Sequence, residues 1–222
     1  MAGMDRATLE ASQQAWESVE GRFGAYDLVL PGTPSFICQA ESCTAHCCHA
    51  FSVNLGEREV EHLARTSGLA PVTFLESEDG APVALPLAQP YLLARRDGNC
   101  ALLGANMLCT QYEGRPAACR LYPHFVVAVD CDTWRPRYGD TQAILAAAEA
   151  AASGRPRGAL VPLLVRHTAC PGFTGPPLTE EGWRALLLET ARLQLAPEEE
   201  SGWPGPEPGA PDRVDARSGP SQ

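Results

Sequence analysis

The sequence predicts a small, irregular α+β domain with several helices, short strands that include a hairpin, and loops that carry cysteine. Helix signals recur at four places, three of them with a matching cap, strand signals recur at three, and nine cysteines fall mostly between these elements. A chain of 222 residues with 45% apolar side chains can bury a core of its own. The cysteines therefore need an explanation other than holding up a tiny fold.

The first two predicted helices lie in the N-terminal third. Residues 5–20 space Leu9, Trp16 and Val19 along one side, as an amphipathic helix does. Residues 56–67 place Glu59 at the capping-box position and meet Gly68 at the C-terminal stop position.

Two more helices are predicted in the C-terminal third. Asp140 opens an alanine-rich helix that ends near Gly154. Thr179 caps the last helix. Its buried stripe is predicted to consist of Trp183, Leu186, Leu187 and Ala191.

Strand signals are shorter. Residues 91–103 hold an Asp97-Gly98 turn between two apolar arms, which is typical of a hairpin. Residues 125–129 and 160–165 are runs of β-branched and other apolar residues bounded by turn residues, and each predicts a strand.

One domain and one tail are expected. Residues 1–196 show no internal repeat and form the predicted cysteine-bearing domain. Residues 197–222 are rich in Pro and Gly and carry six acidic residues against two arginines. This composition predicts a disordered acidic tail.

Charge and hydropathy narrow the choice of partner and compartment. The net charge is −10 and no lysine occurs, so nucleic acid is not expected as a main partner. The N-terminus has no apolar run of signal-peptide length, and no stretch of eighteen apolar residues occurs, so neither secretion nor membrane spanning is expected, and no membrane partner is predicted. The predicted location is the cytosol, where thiols stay reduced.

Four thiols lie within the eleven residues CQAESCTAHCC, and two of them, Cys47 and Cys48, are adjacent. The other cysteines are Cys100, Cys109, Cys119, Cys131 and Cys170. Clustered cysteines in a reduced compartment indicate metal binding or catalysis rather than disulfides. The C-x4-C and C-x3-C spacings are loosely compatible with a metal site, and no C-x-x-C pair occurs.

The cysteine spacing alone does not decide which metal or cluster is bound. Adjacent cysteines either turn toward one centre or face two different centres, and polynuclear sites make such neighbours useful. An iron–sulfur cluster is preferred over zinc or iron ions. Cys131 has no partner at ligand spacing and is interpreted as a small buried hydrophobe.

Other polar residues near the cysteines have supporting or solvated roles. His46 and His49 are interpreted as outer-sphere or surface groups, and His62 as a solvated side chain on its helix. His124 and His167 are candidate outer-sphere donors to a sulfur-rich centre. Two arginines either flank the thiolates or form surface ion pairs. These are Arg115 and Arg120, on either side of Pro116 at the start of a short helix.

Several motifs together resemble one protein family. They are F-x-C with C-x3-C-C over 36–48, VNLGEREVEHLA over 53–64, the D-G-x-C hairpin, the string C-T-Q-Y-E-G-R-P-A-A-C-R-L-Y-P over 109–123, and C-P-G-F over 170–173. This pattern is similar to the YkgJ-like cysteine-cluster family of zinc- or iron-chelating domains, which includes flagellin lysine N-methylases. The motif core covers 36–173. Gly56 stands where the family commonly has threonine, and the x4 gap after Cys38 is longer than usual in the family.

The resemblance implies a ligand set and a function. The matching cysteines are Cys38, Cys43, Cys47, Cys48, Cys100, Cys109, Cys119 and Cys170, which leaves Cys131 out. The expected function is metal binding through these thiolates. The alternatives are methyl transfer from S-adenosylmethionine to a lysine of a protein substrate, and thiol-based redox chemistry. No catalytic residue is predicted, and no glycine-rich loop follows a strand and opens a helix, as many methyl-donor sites require.

Overall fold

The computed structural model describes residues 6–39, 42–87, 89–154 and 158–196. Within these ranges it confirms a single small α+β domain, with seven α-helices, one 3-10 helix and ten short strands. The predicted acidic tail lies outside the described residues, as do Ala40 and Glu41 in the first cysteine segment. No helix of the described ranges is long and apolar enough to span a membrane.

The main sheet has four antiparallel strands in the order β1-β10-β8-β9. Their bounds are Tyr26–Leu28 (β1), His124–Asp130 (β8), Arg135–Arg137 (β9) and Leu160–His167 (β10). Both predicted strands, 125–129 and 160–165, are confirmed, and they pair with each other at the centre of the sheet with Val127 opposite Leu163.

Helices cover both faces of this sheet. On one face α1 (Arg6–Val19) packs Ala15 and Val19 against strand residues such as Val127 and Leu163. On the other face α6 (Thr141–Ala152) and α7 (Glu180–Leu195) share a core with Val126 and its neighbours. Side chains alternate between the two faces along a strand, so a run of apolar residues is buried on both sides.

The predicted caps are present. In α3 (Glu57–Ser67) the Glu59 carboxylate accepts a hydrogen bond from the Gly56 backbone N–H at 3.2 Å. Gly68 ends this helix with φ of 69°, in the left-handed region that glycine enters without strain. The caps of the last two long helices are Asp140, which accepts from the Ala143 N–H, and Thr179, which accepts from the Gly182 N–H.

A second core supports the cysteine-bearing half of the chain. Its elements are α2 (His46–Ala50), β2 (Asn54–Leu55), α3, α4 (Pro71–Phe74), β3 (Ser77–Glu78), β4 (Ala81–Pro82), β5 (Tyr91–Leu92), β6 (Arg95–Arg96), β7 (Asn99–Cys100) and α5 (Ala117–Leu121). Fully or almost fully buried Leu55, Leu63, Phe74 and Leu75 form its centre. The backbone around this core consists mostly of turns and two-residue strands.

Two hairpins use the same turn. Asp97 and Gly98, with φ of 51° and 79°, join β6 to β7 as predicted. Asp79 and Gly80, with φ of 51° and 80°, join β3 to β4, and this hairpin was not predicted. Two successive residues with positive φ match the twist of the flanking strands.

Two expectations need correction. The buried face of α1 centres on Ala11, Ala15 and Val19, while Trp16 is only partly buried, because small residues let the helix approach the sheet closely. His62 is not solvated. It is 7% exposed on the inner side of α3, near the arginine side chains of Arg65 and Arg120.

Candidate metal centre

The first cysteine segment turns sharply before its adjacent pair. Ala45 is left-handed, with φ of 52°, and its carbonyl accepts a hydrogen bond from the Cys48 N–H at 2.8 Å. Cys47 and Cys48 then lie in the one-turn helix α2. Neighbouring side chains of a helix diverge by about 100°, far less than in an extended strand, so both thiols can face one cavity.

The second cysteine segment wraps around the second core. Cys100 ends the Asp97-Gly98 hairpin, Cys109 is bridged to Leu103, and Cys119 lies in α5. All three cysteines pack against the second core. The carboxylate of Glu59 also accepts a hydrogen bond from the Ala117 N–H at 2.7 Å, which ties the start of α5 to α3.

Seven predicted ligands line one cavity of about 100 Å³, which we call the thiol cavity. They are Cys38, Cys43, Cys47, Cys48, Cys100, Cys109 and Cys119. They come from two segments that are more than fifty residues apart in sequence. The chain fold therefore brings most of the predicted set to one place.

Cys170 approaches from a third segment. Residues 170–178 run antiparallel to residues 32–39, with the Ile37 N–H donating to the Gly172 carbonyl at 2.7 Å. Cys170 does not line the thiol cavity. Burial raises the pKa of its thiol, and the nearby charges of Cys43 and Cys38 raise it further. It therefore lies beside the cavity.

Cys131 lies elsewhere. It follows β8 and packs against the core between α1 and the sheet. Its sulfur lies 3.8 Å from the Gly158 carbonyl oxygen, to which the thiol donates. It does not line the thiol cavity.

Three thiols form a hydrogen-bonded chain centred on Cys48. Hydrogen bonding with Cys48 lowers the pKa of Cys47 to about 6 and that of Cys100 to about 7. The hydrogen bond with Cys100, as the larger cause, and the hydrogen bond with Cys47 raise the pKa of Cys48. The single proton of Cys48 thus stabilises a thiolate on whichever of these two neighbours accepts its hydrogen bond.

Two further thiols of the cavity, Cys109 and Cys119, are held in the neutral form by burial. Burial raises the pKa of Cys119 to about 12 and also raises that of Cys109. A bound cation would reverse this preference, because a metal ion stabilises the thiolate directly.

Two arginines supply positive charge at the thiol cavity. Arg115 lies over the Tyr112 ring at 3.7 Å and lowers the pKa of Cys47, while Arg95 lowers that of Cys100. Arg95 is fixed by hydrogen bonds to the backbone carbonyls of Phe51 and His49, each at 2.5 Å. Of the two arginines around Pro116, only Arg115 lines the thiol cavity. Arg120 lies near His62, where its charge adds to burial in lowering the pKa of the histidine.

Residues 37–144 match the family model described as "CxxCxxCC: Putative zinc- or iron-chelating domain". This segment belongs to that cysteine-cluster family. The resemblance seen in the sequence motifs is thereby confirmed, and the family's chelating description supports a metal ion as the cofactor. The match ends before Cys170. No curated protein and no solved structure matches the chain.

The histidines near this cysteine-cluster segment stay outside the thiol cavity. His46 packs against His167 at 5.1 Å between ring centroids and against Phe51 at 5.8 Å. His49 is hydrogen-bonded to the Asn99 side chain at 2.5 Å. His124 lies between the rings of Phe36 and Phe173.

The donor set fits the cofactor that the family implies. Soft thiolates are the ligands that zinc and iron–sulfur clusters take from proteins. Among the residues that the structure describes, no three His, Cys, Asp or Glu side chains already stand in the arrangement of a formed metal site. The thiols line a shared cavity wall, and converging on a metal would require side-chain rotation.

Proposed function

We propose that this protein binds metal through Cys38, Cys43, Cys47, Cys48, Cys100, Cys109, Cys119 and Cys170, with an iron–sulfur cluster as the first choice and zinc or iron ions as the alternative. One observation carries the proposal. Seven of these thiols line a single cavity although they come from distant parts of the chain. Free cysteines that merely fill a core would have no reason to converge in this way.

The neighbour relations among the thiols divide them into two groups. Cys48, Cys100, Cys109 and Cys119 form the first group, and Cys38, Cys43 and Cys170 form the second. Cys47 is close to members of both groups, because its charge acts on Cys119 in the first and on Cys170 in the second. Such an arrangement suits either one polynuclear cluster or two neighbouring ions.

The surroundings support a redox-active, sulfur-bound cluster. Arg95 and Arg115 line the thiol cavity, and no carboxylate lines it in the described ranges, although the chain as a whole carries a net charge of −10. Cationic neighbours offset the negative charge that several thiolates accumulate around a metal. Iron–sulfur clusters also accept cysteines from irregular loops and from distant positions, as here.

Metal analysis of protein purified without oxygen tests the proposal. We expect bound iron with inorganic sulfide and visible absorption. A colourless protein that holds zinc would select the alternative metal. Folded protein with all thiols free and far less than one metal per chain would contradict the proposal as a whole.

Thiol redox chemistry is a second candidate because of the chain Cys47–Cys48–Cys100. A thiolate near neutral pH beside a neutral thiol is the arrangement that attacks a disulfide. In that case a low-molecular-weight disulfide would take two electrons and leave a protein disulfide. Counting thiols before and after this oxidation, with and without metal, distinguishes the two functions: a metal-binding role predicts protection of the thiols by metal.

The methyltransferase alternative stays a prediction. It is tested by adding S-adenosylmethionine well above micromolar concentration and measuring the melting temperature, which must rise if the folded protein binds it. An unchanged melting temperature would argue against this alternative and would leave metal binding unaffected.

A further inference from the structure

A second cavity, of about 250 Å³, adjoins the thiol cavity. We call it the aromatic cavity, because rings of Tyr26, Phe51, Tyr122, His124, Phe125 and His167 line it. Cys47, Cys119, Phe51 and Val53 belong to the walls of both cavities. A molecule in the aromatic cavity would therefore meet two thiols of the proposed metal centre.

The rings of this cavity contact one another and remain accessible at one side. Tyr26 lies 5.1 Å from His167 between ring centroids, and Phe51 lies 5.4 Å from Tyr122. Phe125 is 37% exposed although it belongs to the central strand β8. A large aromatic side chain left open beside a cavity marks a place where a ligand can cover it.

The wall offers a hydrogen-bond donor and no full charge. His167 Nδ1 accepts a hydrogen bond from the Ala169 N–H at 3.2 Å, so the proton of the neutral ring lies on Nε2, which is a donor. No Asp, Glu, Arg or Lys of the described chain lines the cavity.

We propose that the aromatic cavity binds a small, neutral, planar aromatic molecule that carries a carbonyl or ring-nitrogen acceptor. The flat rings provide stacking surfaces, and the His167 donor selects an acceptor on the ligand. Binding depends on this cavity alone. Only the statement that the ligand lies beside a metal rests on the proposed function.

Binding is tested with benzamide as the probe, on the full chain as isolated, with its metal content measured in parallel. Two matched probes each lack one feature: toluene lacks the acceptor, and cyclohexanecarboxamide lacks the aromatic face. Ligand-observed NMR titrations give the three dissociation constants. We expect benzamide to bind about fivefold or more tightly than either matched probe.

Variants locate the binding site. Phe125→Ala removes an exposed ring of the cavity wall and should weaken benzamide binding by about fivefold. Tyr138→Ala is the control, because Tyr138 is 71% exposed and lies outside the cavity wall, and it should change nothing. His167→Phe keeps a ring but removes the donor, so it should abolish the advantage of benzamide over toluene.

Three results would overturn the inference. They are the lack of saturable benzamide binding, equal binding by the Phe125→Ala variant, and tighter binding of benzyltrimethylammonium, which would mark a cation site instead. Benzamide binding by a chain that holds no metal would refute the proposed function and leave this inference standing. A chain that holds metal but does not bind benzamide would refute this inference and leave the proposed function standing.

Discussion

Cys47 has a special place among the thiols because members of both thiol groups lie close to it. It lies on the shared wall of the two cavities, and hydrogen bonding with Cys48 lowers the pKa of its thiol to about 6. A thiolate that is already formed near neutral pH binds a metal without first releasing a proton. Removing the sulfur of Cys47 should therefore affect both thiol groups.

We predict that Cys47→Ser lowers metal affinity by more than the roughly 10–100-fold that loss of a supporting hydrogen bond costs. The physical reason is that a serine hydroxyl stays protonated and is a poor ligand for zinc or iron. Metal content per chain after dialysis gives the measurement. Cys131→Ser is the matched control, because Cys131 packs on the far side of the sheet and its loss should leave metal content unchanged.

His124 makes stability depend on pH. Its ring is 8% exposed between two phenylalanine rings, and burial, with the charge of Arg166 as a second cause, lowers its pKa from 6.5 to about 4. Between pH 6.5 and 4 the unfolded chain binds a proton that the folded protein does not bind. The free energy of unfolding therefore falls as the pH drops through this window.

The expected loss is about 3 kcal/mol between pH 7 and pH 4, from a shift of this size. His124→Phe removes the titrating group and should reduce the loss by that amount. Urea unfolding of the wild-type protein and the variant across the pH range measures the difference in their free energies of unfolding. Metal release and the other histidines contribute equally to both proteins and therefore cancel. Parallel pH curves for the two proteins would show that His124 contributes no proton linkage.

At the scale of elements, one carboxylate holds two helices. Glu59 accepts from the Gly56 N–H at the start of α3 and from the Ala117 N–H at the start of α5. The first bond was expected from the capping-box spacing. The second joins residues 58 positions apart and could not be read from any local pattern. Through it, α3 positions the helix that carries Cys119.

We predict that Glu59→Ala lowers the free energy of unfolding by about 1–3 kcal/mol, because loss of one cap costs roughly 0.5–2 kcal/mol and two N–H groups lose their partner. It should also weaken metal binding, because Cys119 loses its anchor. Glu57→Ala, on the exposed side of the same turn, is the control. Denaturant unfolding and metal titration measure both effects, and equal results for the two variants would refute the role of Glu59.

The segment that delivers Cys170 depends on a close approach at Gly172. A side-chain carbon placed there would lie 2.5 Å from the Phe36 ring and 2.8 Å from the Ile37 carbonyl oxygen. Backbone cannot retreat as a flexible side-chain end can, so the two segments would have to separate.

Gly172→Ala is therefore expected to cost about 1–3 kcal/mol and to move Cys170 away from Cys38. The alkylation rate of Cys170, read by peptide mass spectrometry on metal-loaded protein, should rise. Gly24→Ala is the matched control, because nothing lies within 4 Å of a carbon added there. An unchanged alkylation rate in the Gly172 variant would mean that this contact does not hold Cys170 in place.

At the scale of the whole molecule, the parts built from regular elements were predictable and the irregular parts were not. Continuous apolar runs bounded by turn residues predicted β8 and β10, and caps predicted the helices that start after Gly56, Asp140 and Thr179. The Asp79-Gly80 hairpin carried the same signal as the Asp97-Gly98 hairpin and could have been found. His62 was misplaced because charged neighbours on its helix made a buried side look solvated.

For the candidate centre, sequence spacing alone placed four thiols together, and only the family resemblance joined the others to them. Local rules do not reach across the gap between Cys48 and Cys100 or between Cys119 and Cys170, because these approaches depend on tertiary packing. The aromatic cavity was missed for the same reason. Its walls come from β1, from α2 and the segment that follows it, and from α5, β8 and β10. These segments meet only in the folded chain.

The molecule divides its stability unevenly between two regions. The sheet with α1, α6 and α7 has two apolar cores made by regular elements. The cysteine-bearing segments around residues 42–51 and 99–121 have short elements, partly buried thiols and mostly irregular backbone. Regions with few buried apolar contacts open most easily, and a metal that binds only the folded form adds most stability there.

We therefore predict that removing the metal with a chelator under reducing conditions loosens one region and spares the other. Amide hydrogen exchange in 42–51 and 99–121 should accelerate by a large factor, since bound metal stabilises its site by roughly 4 kcal/mol at a concentration 1,000 times its dissociation constant. Amides of β8 and β10 should exchange at nearly unchanged rates, because their ladder and both covering cores contain no predicted ligand. Adding metal back should restore protection of the two cysteine-bearing segments. Uniform acceleration across the sheet as well would mean that the whole domain folds around its metal, and that the apolar cores cannot hold the sheet alone.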